Sequence, residues 1–194
     1  MTIPNRIKQI CYRSAVNFWT RTFISKCQKV GKNTFIKGPY RLRNQGRIEI
    51  GQDCIFDSTK EKPILLEIGT AANLCIGDNV YINEGVNVVC NISVWIGNRV
   101  LIAPDVVIMD DDGHPLDWAT RHDYWPKTPQ DRLDRQIGAP IIIESNVWIG
   151  ARAIILKGVT IGEGSVIAAG SVVTHSIPAK VLAGGAPAHV IRNL

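Results

Sequence analysis

Apolar residues stand at an interval of six along the chain: Ile143, Ile149, Ile155, Ile161, Ile167 and Val173. The same interval links Ile76, Ile82 and Val88, and again Ile96, Ile102 and Ile108. A helix cannot use this spacing, because six residues turn it through about 600° and scatter the marked side chains. Two positions before the marked residues stand Val147, Ala153, Val159, Ser165 and Ser171. A spacing of two puts both side chains on one face of a short strand, with the residue between them facing out. Three positions after the marked residues come types that tolerate positive φ: Asn79, Gly85, Asn91, Asp105, Asn146, Gly158, Gly164 and Gly170. Arg99, Arg152 and Ser176 break that rule. Strand and corner in alternation, three times per coil of about eighteen residues, predict an all-β solenoid: stacked coils around a ladder of aliphatic side chains.

The pattern divides the chain into a partly helical segment over 1–48, a β-helix over 49–177 and a closing tail over 178–194. Residues 5–29 are predicted helical, with Ile7, Ile10, Cys11, Phe18, Trp19, Phe23 and Cys27 near helical spacing. Residues 30–72 read as irregular early coils, with Ile50-Gly51 and Ile68-Gly69 placed one coil apart. The hexads stop over roughly 110–140. A solenoid accommodates such a stretch only as an excursion from a corner, and loops of this length are commonly functional.

Composition narrows the setting. The 194 residues are 45% hydrophobic and 20% charged, enough for one domain with a continuous core. No apolar run approaches the roughly 18 residues that span a bilayer. Asn5, Arg6, Lys8, Gln9 and Arg13 interrupt any signal-peptide core, so the cytoplasm is the expected compartment. Residues 1–48 carry eleven Lys or Arg and no acid, whereas the remainder carries eleven basic and seventeen acidic residues. The basic helix therefore either packs on the open end of the β-helix or on a neighbouring subunit, or it rests on an anionic membrane face. Nothing else in the chain supports nucleic-acid binding. The five cysteines, Cys11, Cys27, Cys54, Cys75 and Cys90, have neither metal nor redox spacing and read as small packing side chains.

The excursion opens with Asp110-Asp111-Asp112 and then Gly113-His114-Pro115-Leu116-Asp117. Downstream stand Asn146-Val147-Trp148-Ile149-Gly150, Gly158-Val159-Thr160-Ile161-Gly162 and Ala169-Gly170-Ser171-Val172-Val173-Thr174. With these motifs, residues 74–192 resemble the hexapeptide-repeat acyltransferases, in the branch of maltose, galactoside and nodulation O-acetyltransferases. The resemblance implies a left-handed parallel β-helix, a homotrimer and acetyl-CoA as donor, with no metal. It makes His114 the general base, and the neighbouring aspartates candidates to orient its ring. It places Asn83 and Tyr81 against the acceptor. Asn91 stands at an acceptor-contacting position where Asp is usual, which removes a charge. On the donor side it assigns the Ala151 N–H to the thioester oxyanion and the Ala169 backbone to the pantetheine arm. Thr174, His175 and Arg192 fall near the CoA phosphates, with His189 where a second arginine is common. Trp148, outward by the period of two, becomes a subunit contact or a wall of the pantetheine channel.

The implied acceptor is a sugar hydroxyl. The branch's usual acceptor-binding helical segment is not recognisable in residues 1–48, and a basic aromatic helix stands there instead. That suits a lipid-linked unit of capsule, O-antigen or exopolysaccharide at the inner membrane face; a free sugar, a nucleotide sugar or an antibiotic is the alternative. A metal-dependent carbonic anhydrase on the same scaffold needs three histidines on neighbouring faces. His114, His122, His175 and His189 have no coil-related spacing. A non-catalytic trimeric scaffold would have no use for His114 in that loop.

Overall fold

The computed structural model describes residues 16–122 and 137–194. Three sheets, parallel except for an antiparallel closing pair near the C-terminus, form the walls of a prism, and the chain visits them in rotation. The first wall takes strands Lys29–Val30, Arg47–Ile50, Asn73–Ile76, Ser93–Ile96, Ile141–Ile143 and Thr160–Ile161. The second runs through Phe35–Ile36, Ile55–Phe56, Tyr81–Ile82, Leu101–Ile102, Trp148–Ile149 and Val166–Ile167 to a closing pair, Val181–Gly185 and Ala188–Asn193. The third stacks Tyr40–Asn44, Ile64–Ile68, Asn87–Cys90, Val107–Met109, Ile154–Leu156 and Val172–Val173. This is the expected parallel β-helix.

The hexads account for the core. Every marked apolar position from Ile76 to Val173 is buried, as are Val147, Ala153, Val159, Ser165 and Ser171 two places earlier. The corners are tight because one residue in most of them turns left-handed: Asn79, Asp105 and Asn146 have φ of 57°, 59° and 63°. Arg99 and Arg152, which break the residue-type rule, adopt φ of 53° and 60° all the same. The coil below holds them there, through Arg99 N–H to Asp78 O at 2.8 Å and Arg152 N–H to Pro104 O at 3.0 Å. Asn91 does not join the left-handed residues, because Asp110 organises its corner instead.

The lower coils depart from the sequence reading. Ile50 pairs with Ile76 on the first wall, while Ile68 lies on the third wall opposite Cys90. They are not one coil apart, because the corner at 57–63 is long. Coil stacking also begins earlier than 49, at Lys29, which pairs with Glu49. The helix occupies 16–24 of the described residues and ends before the expected Lys29; its predicted start at residue 5 lies outside them. It lies across the open end of the prism. Phe23 is 1% exposed, its ring 5.1 Å from that of Phe56 and 5.2 Å from that of Tyr40. Thr20 joins it to the first coil, donating from Oγ1 to Ile36 O and accepting from Ile36 N–H at 3.2 Å.

At the other end the two buried serines anchor the tail. Ser165 Oγ donates to Pro178 O at 2.7 Å and accepts from Val181 N–H. Ser171 Oγ accepts from Gly185 N–H. The expected excursion leaves at Asp110 and returns at Gly138. Asp112 N–H donates to Ile137 O at 3.0 Å and Ala139 N–H to Asp110 O at 2.9 Å, forming a two-stranded neck. A short helix, Trp118–His122, follows, and residues 123–136 lie outside the described part. Among the described residues no helix is long and apolar enough to cross a membrane.

Candidate functional site

The neck of the excursion builds the site. Asp110 is 0% exposed, and its carboxylate accepts from the N–H groups of Asn91, Ile92 and Ser93 at 2.7, 2.9 and 2.8 Å. Three backbone amides there stand in for the water that a buried carboxyl group loses. The same bonds fix the corner one coil below, which carries Asn91. Asn91 Nδ2 donates to Asp111 Oδ2 at 2.6 Å. Burial pushes the Asp111 carboxyl upward in pKa, against the Asn91 hydrogen bond and with the charges of Asp110 and Asp112 adding to the rise. Asp112 accepts from Lys157 Nζ at 2.5 Å. Each of the three aspartates proposed to orient His114 thus has a structural partner in the coils.

Gly113 then turns left-handed, with φ of 67°, and the chain delivers an exposed His114. A residue with a Cβ has room at Gly113 but would be strained by that φ. Beyond His114, Asp117 caps the short helix by accepting from Thr120 N–H and Oγ1 at 2.7 and 2.6 Å. Arg121 ties that helix back to Pro115 O and Leu116 O at 3.2 and 3.1 Å. The histidine is braced on both sides. It lines one cleft with Gly113, Asp111, Asn91, Met109, Val89 and Glu67, on the outer face of the third wall. Met109, Val89 and Glu67 were missed in the sequence. They stand in register on three neighbouring strands, a fact readable only once the unequal coil lengths are known.

The other acceptor positions lie elsewhere. Tyr81 is on the second wall, where its OH donates to Asp57 Oδ2 at 2.5 Å; Lys37 Nζ donates to the same oxygen at 2.8 Å. Burial alone would raise the Asp57 pKa, but these two donors outweigh it and hold the carboxyl low. The bond to Asp57, with burial, pushes the Tyr81 hydroxyl up. Asn83 sits in the next corner, donating from Nδ2 to Ile102 O at 3.0 Å. Trp148 is half exposed on the second wall, in register with Leu101, which pairs with Tyr81.

Ala151 and Ala169 occupy the corner after the second wall in successive coils, with Gly170 N–H donating to Ala151 O at 2.8 Å. Pro104 holds the equivalent place below, accepting from Arg152 N–H. A proline serves there, so the ladder does not need that amide, and the Ala151 N–H is spare. Thr174 Oγ1 lies 2.8 Å from His175 Nδ1, in the corner after the third wall. Arg192 is exposed on the last strand, opposite Leu182, and His189 opposite Gly184. The chain therefore brings Asn91 to His114. It keeps Tyr81, Asn83, Trp148, Ala151 and Ala169 at or beside a different edge of the prism. Among the described residues, no three His, Cys, Asp or Glu side chains gather as a metal site.

Residues 140–175 match the family model for the hexapeptide repeat of succinyl-transferase. The galactoside O-acetyltransferase of Escherichia coli is 40% identical over 134 residues, 69% of this chain and 60% of that protein. The putative lipopolysaccharide biosynthesis O-acetyl transferase WbbJ of the same species is 31% identical over 174 residues, 90% of this chain and 83% of that protein. In fold, the chain is like AntD, an N-acyltransferase from Bacillus cereus solved with dTDP and 3-hydroxybutyryl-CoA. The TM-score is 0.69 at 21% identity, over 89% of this chain and 86% of that one. These sequence relatives make the prism of hexads an acyltransferase scaffold. The chain belongs to the hexapeptide-repeat acyltransferases, and it spans under two thirds of the length of the galactoside enzyme of E. coli.

Proposed function

We propose that this protein transfers an acetyl group from acetyl-CoA to a sugar hydroxyl, in the assembly of a surface polysaccharide. The observation that carries the reading is His114, braced by its loop at the mouth of a cleft shared with Asn91, Asp111 and Glu67. A sugar hydroxyl is a poor nucleophile near neutral pH, and an imidazole can remove its proton as the oxygen attacks the thioester carbonyl. The spare Ala151 N–H would donate to the resulting oxyanion, a contribution commonly worth several kcal/mol. Collapse breaks the C–S bond, and the departing CoA thiolate recovers the proton from His114. Ala169 would hold the pantetheine arm, with Thr174, His175 and Arg192 at the phosphates and Trp148 beside the channel. Tyr81, Asn83 and Asn91 would contact the acceptor.

These groups stand on two edges of one prism, so a complete site needs a second copy of the chain. A cyclic trimer, edge against edge, completes three such sites. The likeness to WbbJ supports a polysaccharide acceptor. The test is release of CoA thiol from acetyl-CoA against a panel of soluble and lipid-linked sugars. His114→Ala should lower turnover by about 10²-fold or more while CoA still binds. Near-native turnover in that variant would remove His114 from the chemistry.

A further inference from the structure

A second hollow on the third wall speaks to the chemical class of the acceptor, and its interpretation rests on the acetyl-transfer reading above. It is lined by Arg41, Arg43, Leu65, Leu66, Glu67 and Asn87. Glu67 also lines the His114 cleft, so the two hollows adjoin at that residue along the third wall. Met109, Val89, Glu67 and Arg43 stand in register across four adjacent strands. Strands are spaced about 4.8 Å apart, which places Arg43 roughly 14 Å down the wall from Met109. A single sugar ring seated at His114 does not extend that far; a chain of sugars does.

The hollow away from His114 is cationic. Arg41 has Leu65 and then Asn87 as register neighbours, and among the described residues it has no ion-pair partner. Arg43 Nη1 meets Glu67 Oε1 at 2.9 Å, with the two side chains 81% and 50% exposed. An exposed pair of this kind contributes little and yields readily to a better anion. A guanidinium matches carboxylate and phosphate geometry, with two parallel hydrogen bonds. Both arginines belong to the basic N-terminal segment, residues 1–48.

We propose that the acceptor is an acidic oligosaccharide lying along the third wall. Its reacting hydroxyl sits at His114, and a carboxylate or phosphate further along the chain sits against Arg41, with Arg43 turning from Glu67 to the same anion. A neutral glycan would leave Arg41 without a counterpart.

Calorimetric titration of the full-length protein tests this with three probes: tetragalacturonate, UDP-galactose and maltotetraose. Tetragalacturonate should bind more tightly than maltotetraose, with the preference shrinking as salt rises and screens the charges. Arg41→Gln should weaken the acidic probe by about tenfold, the scale of a charge-assisted hydrogen bond. Glu67→Gln should tighten it, because Arg43 is freed. Tight, Arg41-dependent binding of UDP-galactose with no preference for tetragalacturonate would overturn the oligosaccharide and make the ligand a nucleotide sugar. Equal affinity for acidic and neutral probes, or an acidic affinity that Arg41→Gln leaves unchanged, overturns the proposal. Acetylation of maltotetraose in that event would leave the transfer reading standing. Failure of the wild-type protein to release CoA with any acceptor would strike the transfer reading itself. All three side chains are at the surface, and thermal unfolding of each variant checks that its fold is intact.

Discussion

At the scale of single residues, the site depends on how three adjacent aspartates divide their work. Asp110 is satisfied by backbone amides and holds the corner of Asn91. Asp111 is less well served: burial raises its pKa, and the charges on both sides raise it further. A carboxyl whose folded pKa lies above its unfolded value binds more protons in the folded state. Its stabilising contribution is fully present below the ordinary carboxylate range and is lost as pH rises through the raised value. Above that window the ionised Asp111 is a net cost. Asp111→Asn keeps an oxygen to accept from Asn91 Nδ2 and removes the charge. The variant should therefore unfold at a higher temperature than the native protein at neutral pH, and the gain should vanish below about pH 3.5, where the native side chain is also neutral. A gain that persists in acid would mean that packing, not ionisation, sets the difference.

At the scale of elements, most of the architecture is written in the hexads, and the exceptions have physical causes. Arg99 and Arg152 hide their left-handed corners behind an unsuitable residue type, because hydrogen bonds to the coil below enforce a conformation that costs about 1–2 kcal/mol. Ile50 and Ile68 suggest a coil that does not exist, because the corner at 57–63 changes the count without disturbing the alternation of the strands around it. His114 and Asn91 were legible through the Gly-His-Pro-Leu-Asp run and its resemblance. Glu67, Val89 and Met109 were not, since a shared register depends on every coil length between them. The N-terminal helix was legible as amphipathic, but its partner was not: Phe23 fits equally the face of a membrane helix and the plug of a β-helix. The structure spends Phe23 on the plug, between Phe56 and Tyr40. Phe23→Ala should accordingly cost about 3–5 kcal/mol in urea unfolding, the range for truncating a buried aromatic. A loss below about 1 kcal/mol would mean that the helix closes nothing.

At the scale of the molecule, the proposed chemistry is divided between edges that one chain cannot bring together. Asn83 follows a second-wall strand and His114 follows a third-wall strand. The third wall between them is about four residues wide, or roughly 13 Å. Outward Trp95 and Ile142 on the first wall and Leu101 and Trp148 on the second form apolar ladders that a lone chain leaves in water. Both features are relieved if three copies pack around an axis, with the Asn83 edge of one against the His114 edge of the next. The arrangement makes a prediction that simple mass measurement does not. His114→Ala and Asn83→Ala should each be nearly inactive alone. Co-expressed in equal amounts, they should assemble mixed trimers in which a site is intact whenever a chain with native His114 meets a neighbour with native Asn83. Random assembly makes about a quarter of the sites whole, so about a quarter of native activity should return. Recovery no greater than the sum of the two inactive variants would place both residues in a site within one chain, and the split-site trimer would fail with it.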